Sequence, residues 1–403
     1  MLRAEVVHLT FKPPFSPGSY NRWVGKLLDY LPDIPQAAIS YWNAPFPANA
    51  QPDERVFLIN EQGLSLSQRA TLLMPERVRN RWFNGVARRE NLVYLWGVLE
   101  TLAQLRPPVV ICHDNYKFGA VLRQHIDWPC RLVLIQHGLS YHLPTATALP
   151  LYSLKSFDVV CVMTRTSYRF DRNRMAAYES LVEILPSMID ARQFRPVLDD
   201  EKAALRAQWQ LPPEKRIVLS LSRLVGQKGV HVVLESWPEI LRACPDAFFW
   251  IVGEGDASYK RYLQSLINTL GISDSVRLQG AAAPELTAGC YRAADLFVFP
   301  TLVSEGFSFA LLEAMASGLP CVSSYQDSIA ESYPPDSIRL VRDVNIRGEF
   351  AAPLVELLRD EQARANQGRA ARTYVEQHYS LETLLPQVAQ FFRRQIKLAG
   401  GVG

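Results

Sequence analysis

Short apolar runs rich in β-branched residues recur along the whole chain with helical patterns between them. This alternation restricts the fold more than any other feature. In the first half the runs are Glu5–Thr10, Val109–His113, Leu132–Gln136, Asp158–Met163 and Val182–Leu185. In the second half they are Ile217–Ser220, Phe248–Val252, Val276–Gln279, Leu296–Phe299 and Cys321–Ser323. A strand that is apolar on consecutive positions is buried on both faces, as in a parallel sheet covered by helices. Val24, Leu27, Leu28 and Leu31 share one helical face, as do Val230, Val233, Leu234 and Trp237. Two successive series of this kind predict an α/β chain of two doubly wound, Rossmann-like domains facing a cleft. The expected boundaries are 1–195, 196–380 and a C-terminal amphipathic helix in 381–403, expected to pack back toward the N-terminal domain. The stretch from Ser40 to Pro107 is less legible.

Composition narrows the class. Of 403 residues, 48% are hydrophobic and 21% charged, as in globular proteins. No apolar run approaches the roughly 18–20 residues of a membrane span. Met1 to Phe15 holds no long apolar segment of the kind a secretory signal needs. The six cysteines form no Cys-x-x-Cys pair, which predicts reduced core thiols in a cytoplasmic protein. Residues 1–195 carry 22 Lys/Arg against 16 Asp/Glu, and the remainder 21 against 24. That balance is too mild to indicate nucleic acid.

The most informative segment runs from Pro300 to Pro320. A strand ends at Pro300, a loop carries Glu305 and Gly306, and a helix is expected from about Ser308 to Ser317. Gly318 suits the position just past its end and Pro320 prevents continuation. The first turn of such a helix presents backbone N–H groups and a positive dipole end to an anion. Glu305 and Glu313 flank that anion site. A carboxylate beside phosphate is unfavourable unless neutral hydroxyls hydrogen-bond to it, and sugars and ribose supply those hydroxyls. Arg223 and Lys228 follow another buried strand and offer two cations for a diphosphate.

The Glu305-to-Glu313 spacing and its surroundings resemble the donor site of retaining glycosyltransferases of the GT-B fold, family 4 (glycosyl transferases group 1). Ser222-Arg223 through Lys228-Gly229 resembles that family's basic loop. Val252-Gly-Glu-Gly255, Ala294–Pro300 and the interdomain crossing Pro186–Pro196 fit in the expected order. The first half is similar more loosely, through His113-Asp114 and His137-Gly138 at two strand ends. The Pro13–Ser19 loop, with Gly18 alone, stands where the family often has Gly-Gly. Asp327-Ser328-Ile-Ala-Glu331 also departs from a Gly-Gly pattern.

The resemblance implies a hexosyltransferase of the EC 2.4 type. Arg223, Lys228 and the N–H groups of Gly306, Phe307, Ser308 and Phe309 would meet the diphosphate, with Gly18 also at the donor. Glu305 would accept from donor-sugar hydroxyls and Glu313 from the ribose. His137 is the candidate catalytic histidine, beside His113 and His142. Neither an Asp-x-Asp pair nor a His cluster of metal type occurs, so the expectation is no cofactor and no metal. The expected partners are a nucleotide sugar and a sugar, glycolipid or protein acceptor, with polysaccharide or glycoconjugate synthesis as the setting. UDP, GDP and ADP are left open as the nucleotide. Two alternatives stay open: a non-catalytic nucleotide-sugar-binding protein and a sugar-nucleotide epimerase on the same fold. Gly253-x-Gly255 lacks the third glycine of a dinucleotide fingerprint. Arg77, Arg79 and Arg81, next to Trp82-Phe83, are candidates for peripheral contact with an anionic inner membrane surface; a solvated helix with an inward aromatic pair is the alternative.

Overall fold

A computed structural model of the protein describes residues 3–14, 19–44, 53–83, 88–137, 154–166, 181–198, 200–344 and 348–400. The chain divides into two compact units. The first comprises Met1–Ser187 with Leu385–Gly403, and the second Met188–Leu384.

The first unit is built on strands β1 (Val6–Thr10), β2 (Gln36–Tyr41), β3 (Val56–Ile59), β4 (Val109–His113), β5 (Arg131–Gln136), β6 (Val159–Val162) and β7 (Val182–Ile184). They form one parallel sheet in the order β3-β2-β1-β4-β5-β6-β7. The β1 and β4 residues are buried throughout, as their composition demands. Tyr94, on the helix Arg89–Leu105, is buried and its hydroxyl donates to the Ile39 carbonyl at 2.6 Å.

The second unit holds β8 (Arg216–Leu221), β9 (Ala247–Val252), β10 (Val276–Gly280), β11 (Leu296–Phe299), β12 (Cys321–Ser324) and β13 (Arg339–Val341). All are parallel, in the order β10-β9-β8-β11-β12-β13. Trp237 stacks on Phe249 with ring centroids 5.0 Å apart, joining the helix Val230–Ala243 to the sheet.

β2, β3 and β13 are additions to the strands expected from sequence. β2 is buried along most of its length, but Gln36, Ala37, Ala38 and Ser40 give it little β-branched character. β3 and β13 lie at sheet edges, are partly exposed and are only four and three residues long; β3, Val-Phe-Leu-Ile, is apolar throughout but too short to stand out as a strand.

The division between units falls at Ser187/Met188, before the expected 195/196. Residues 188–194 are tied into the second unit. Ile189 bridges to Ser380, with its N–H donating to the Tyr379 carbonyl at 2.8 Å. Phe194 is buried against Tyr291, and Arg372 donates to the carbonyls of Ala191 at 2.9 Å and Phe194 at 2.7 Å. The C-terminal helix, Leu381–Ala399, is shared: from Leu385 onward it belongs to the first unit. There Phe392 meets the edge of His8 at 5.7 Å, and Arg131 donates to Gln395 at 2.7 Å.

In each sheet the strand order reverses next to the first strand of the series, between β1 and β4 and between β8 and β11. In open parallel sheets, ligands bind beyond the strand carboxyl ends at such a switch point.

Candidate functional site

Two loops of the second unit leave the sheet at its switch point, one after β8 and one after β11. The Leu302 N–H donates to the Gln227 carbonyl at 2.9 Å, which stitches them together. Gly229 makes the approach possible. Its φ is +67°, and a Cβ there would stand 1.9 Å from the Pro300 carbonyl oxygen. Lys228, just before it, is thereby directed at the second loop.

Lys228 Nζ lies 2.5 Å from Glu305 Oε1, and the Thr301 hydroxyl donates to the same oxygen at 2.8 Å. The Lys228 and Glu305 side chains are only 15% and 17% exposed. The ammonium also stands 5.4 Å from the centre of the Phe299 ring. The Ser328 hydroxyl donates to the Glu305 carbonyl at 2.5 Å, holding the loop from its other side. Sequence reasoning gave Lys228 and Glu305 separate tasks; the structure brings them together as an ion pair. Each is the other's nearest charge compensation in a largely desolvated position. Arg223 is exposed, and its guanidinium makes no ion pair with a described residue.

The helix expected from Ser308 runs over Phe309–Ala316, with Ser308 as its cap. The Ser308 hydroxyl accepts from the Leu311 N–H at 3.3 Å. Gly318, at φ +72°, ends it: the Leu319 N–H reaches back to the Ala314 carbonyl at 3.1 Å. Gly306, Phe307 and Ser308 are buried and Phe309 is half-buried. Glu313 is 3% exposed, and the Tyr291 hydroxyl donates to its Oε2 at 2.9 Å. Its carboxylate is thus already held by a protein group. Ser328 stands in the sequence as a departure from a Gly-Gly pattern, and the structure gives its hydroxyl a bond to the Glu305 backbone; Thr301 and Tyr291 were missed, since hydroxyl residues carry no pattern of their own.

In the first unit, His113 ends β4 and His137 follows β5. Their rings join with His8, from the middle of β1, in one buried chain. His8 Nδ1 lies 3.0 Å from His113 Nε2, and His113 Nδ1 lies 2.8 Å from His137 Nε2. Gln36 Oε1 stands 3.1 Å from His8 Nε2. The Gln36 amide nitrogen donates to the Leu27 carbonyl at 2.9 Å and the Leu31 carbonyl at 3.3 Å, so Oε1 must be the acceptor. His8 then carries its proton on Nε2 and accepts at Nδ1, and the same assignment passes to His113 and His137.

Burial pushes the His8 imidazole down to about 4 and holds His113 well below the ordinary histidine range. His137 is also lowered by burial, against the nearby Asp114 carboxylate. The sequence flagged His113 and His137 as strand-end residues. His8 and Gln36 went unnoticed, although a polar side chain inside a strand buried on both faces must find a partner.

Gly18 and His142 lie outside the described residues. Of the three candidate membrane arginines, Arg79 is turned inward: it is buried and donates to the Leu72 carbonyl at 2.9 Å and to the Met74 carbonyl. It thereby secures the turn between the helices Leu66–Leu73 and Glu76–Phe83 and is not a surface charge. Arg77 is exposed, and the Arg81 side chain is outside the described residues. Leu66 and Leu73 are 87% and 84% exposed, and Met74 and Val78 are exposed with them. Among the described residues, no group of three or more His, Cys, Asp or Glu is arranged to hold a metal ion, and no helix is long and apolar enough to cross a membrane.

Comparison with known proteins bears on the family and the fold. Residues 201–374 match the family model described as glycosyl transferases group 1. A GDP-mannose-dependent monoacylated alpha-(1-6)-phosphatidylinositol monomannoside mannosyltransferase of Corynebacterium glutamicum is 28% identical over 233 residues, 56% of this chain and 60% of the relative. A D-inositol 3-phosphate glycosyltransferase of Segniliparus rotundus is 33% identical over 151 residues, 37% of this chain and 33% of the relative. The match to such relatives therefore spans only part of their length. Among solved structures, a sucrose-phosphate synthase from Thermosynechococcus elongatus superposes with a TM-score of 0.76 at 20% identity, covering 97% of this chain and 99% of its own. The Anabaena HepE protein in complex with UDP and glucose gives 0.75 at 16% identity, over 97% and 100%. Residues 201–374 thus match the glycosyl transferases group 1 model, and the chain shares the GT-B fold of the solved structures.

Proposed function

We propose that the protein is a retaining glycosyltransferase that moves a sugar from a nucleotide-sugar donor to an acceptor hydroxyl without a metal ion. The observation that carries this reading is the pairing of Lys228 with Glu305, beside a Ser308-capped helix start, at the β8/β11 switch point. One cation, one carboxylate and a helix N-terminus match the three parts of a sugar diphosphate: charged phosphates, sugar hydroxyls and the oxygens between them. Lys228, Arg223 and the N–H groups of residues 306–309 stabilise the charge that grows on the departing diphosphate. Glu305 accepts from sugar hydroxyls, and Glu313, held by Tyr291, accepts from the ribose. His137 hydrogen-bonds a substrate hydroxyl. No side chain is assigned as a covalent nucleophile, and retention follows from attack on the face the diphosphate leaves.

The test is a panel of UDP-, GDP- and ADP-sugars with glycolipid and sugar acceptors, in the presence and absence of EDTA. GDP-mannose comes first, because relatives are named for it. The expected result is transfer with retained anomeric configuration, unaffected by EDTA. Turnover of donor without acceptor would indicate an epimerase. Binding without transfer to any acceptor would indicate a binding protein.

We place the protein in the cytoplasm, peripheral at the inner membrane surface, in polysaccharide or glycoconjugate synthesis. What supports the membrane contact is the exposed apolar group Leu66, Leu73, Met74 and Val78 beside Arg77. The protein should sediment with anionic liposomes at low salt and be released at high salt, since surface attraction is screened over about 10 Å at 0.1 M. Leu66→Ser with Leu73→Ser should abolish sedimentation, and Arg77→Gln should weaken it. Equal sedimentation with neutral vesicles, or none with either, would leave a soluble acceptor.

A further inference from the structure

The donor reading gives Lys228 and Glu305 to opposite ends of one ligand, yet in the structure they are bound to each other. The pair is built. Thr301 holds the shared carboxylate oxygen, Ser328 holds the Glu305 backbone, and Gly229 fixes the approach of the two loops. A lysine this little exposed needs a counter-ion, and a carboxylate this little exposed needs donors.

The consequence differs for two ligands that share the same phosphates. A free nucleoside diphosphate can use Lys228 only by drawing it away from Glu305. The carboxylate is then left with Thr301 and a negative diphosphate nearby. An intact nucleotide sugar offers its phosphates to Lys228 and its hydroxyls to Glu305, so both members of the broken pair are satisfied again. We propose that Glu305 is the resident counter-ion of Lys228, so that the site favours the sugar-bearing donor over the nucleoside diphosphate it becomes. Once the sugar has left, Glu305 loses its hydroxyl donors and reclaims Lys228, which speeds release of the product. This rests on the donor-site reading above and adds a selectivity that reading does not require.

The experiment compares binding of UDP, GDP and ADP with binding of their hexose conjugates by calorimetry. It uses the full chain, Glu305→Gln, Lys228→Gln and the double variant, each checked for folding by thermal melting. In Glu305→Gln the amide no longer competes for Lys228. Its affinity for the free diphosphate should rise, by several-fold to about tenfold, while its affinity for the sugar conjugate falls. The gain should vanish in the Lys228→Gln/Glu305→Gln double variant, because it runs through the lysine. Unchanged or weakened diphosphate binding in a folded Glu305→Gln protein would overturn the proposal while leaving the donor site standing. A gain that persists without Lys228 would overturn it too. Binding of no nucleotide by any variant would remove the donor reading itself, and this proposal with it. If Glu305→Gln melts too early to titrate, Thr301→Val with Glu305→Asp, which keeps the charge but shortens its reach, should show the same direction of change. No gain there would count against the counter-ion role.

Discussion

Two sets of side chains set the chemistry at the residue scale. Lys228 and Arg223 are placed differently: one is largely enclosed and paired, the other open to solvent. Replacing either by alanine should lower kcat by on the order of 10²-fold, as removal of one preorganised donor does elsewhere. Lys228→Ala should also lower the melting temperature, because Glu305 is left without its cation, whereas Arg223→Ala should not. Wild-type turnover in either variant would remove that residue from the site.

The buried histidines make a separate prediction about pH. The unfolded chain protonates its histidines near pH 6.5, whereas His8 in the fold resists protonation down to about 4. The unfolded state therefore binds more protons across that window, and stability falls as pH drops through it. From His8 alone the loss between pH 7 and pH 5 is roughly 2 kcal/mol. His113 and His137 add to it in the same direction, and Asp114, the carboxylate facing His137, works against the latter. Melting temperatures from pH 7 to pH 5 would show the slope, and it should flatten in His8→Asn. Nitrogen NMR of the imidazoles checks the tautomers: Nε2 should carry the proton in all three rings.

Elements matter through where they start and stop. Gly229 lies between the β8 loop and the helix Val230–Ala243 and brings Lys228 under the β11 loop. Gly229→Ala meets both a positive φ and a backbone oxygen at 1.9 Å. Backbone strain of this kind costs of order 1–3 kcal/mol, and relief requires the loops to part. The variant should therefore lose both stability and nucleotide affinity. Gly226→Ala, in a neighbouring position open around its would-be Cβ, should change neither. Equal behaviour of the two variants in melting and titration would contradict the close approach as the cause.

The whole chain comes into play through its last helix. From Leu385 onward this helix completes the first unit, where Phe392 is fully buried against His8 and Gln395 takes a hydrogen bond from Arg131. The helix from Leu385 to Ala399 is thus part of the core that β1 also builds. Phe392→Ala should cost about 3–5 kcal/mol, the usual price of emptying a buried aromatic site. Calorimetric or denaturant unfolding would measure it. A loss below about 1 kcal/mol would mean that the helix end does not support this core.

The sequence alone determined the class of fold, most of the strands and the ends of the helix after Glu305. Each of these depends on neighbours within a few residues: an apolar run, a glycine past the last turn, a proline that prevents continuation. It also located Arg223, Lys228, Glu305 and His137 at strand ends, since that placement follows from the strands themselves. Only the tertiary structure decided which of them meet. Lys228 and Glu305 are brought together because β11 is inserted beside β8, ahead of β12. Gln36, His8, His113 and His137 form a chain because the sheet order runs β2-β1-β4-β5. Arg79 reads in the sequence as one of a row of surface charges, and only the turn beneath it supplies the carbonyls that draw it inward. Periodicity reports which face of an element is buried. Partners from other elements are fixed by strand order and loop approach, which no local pattern encodes.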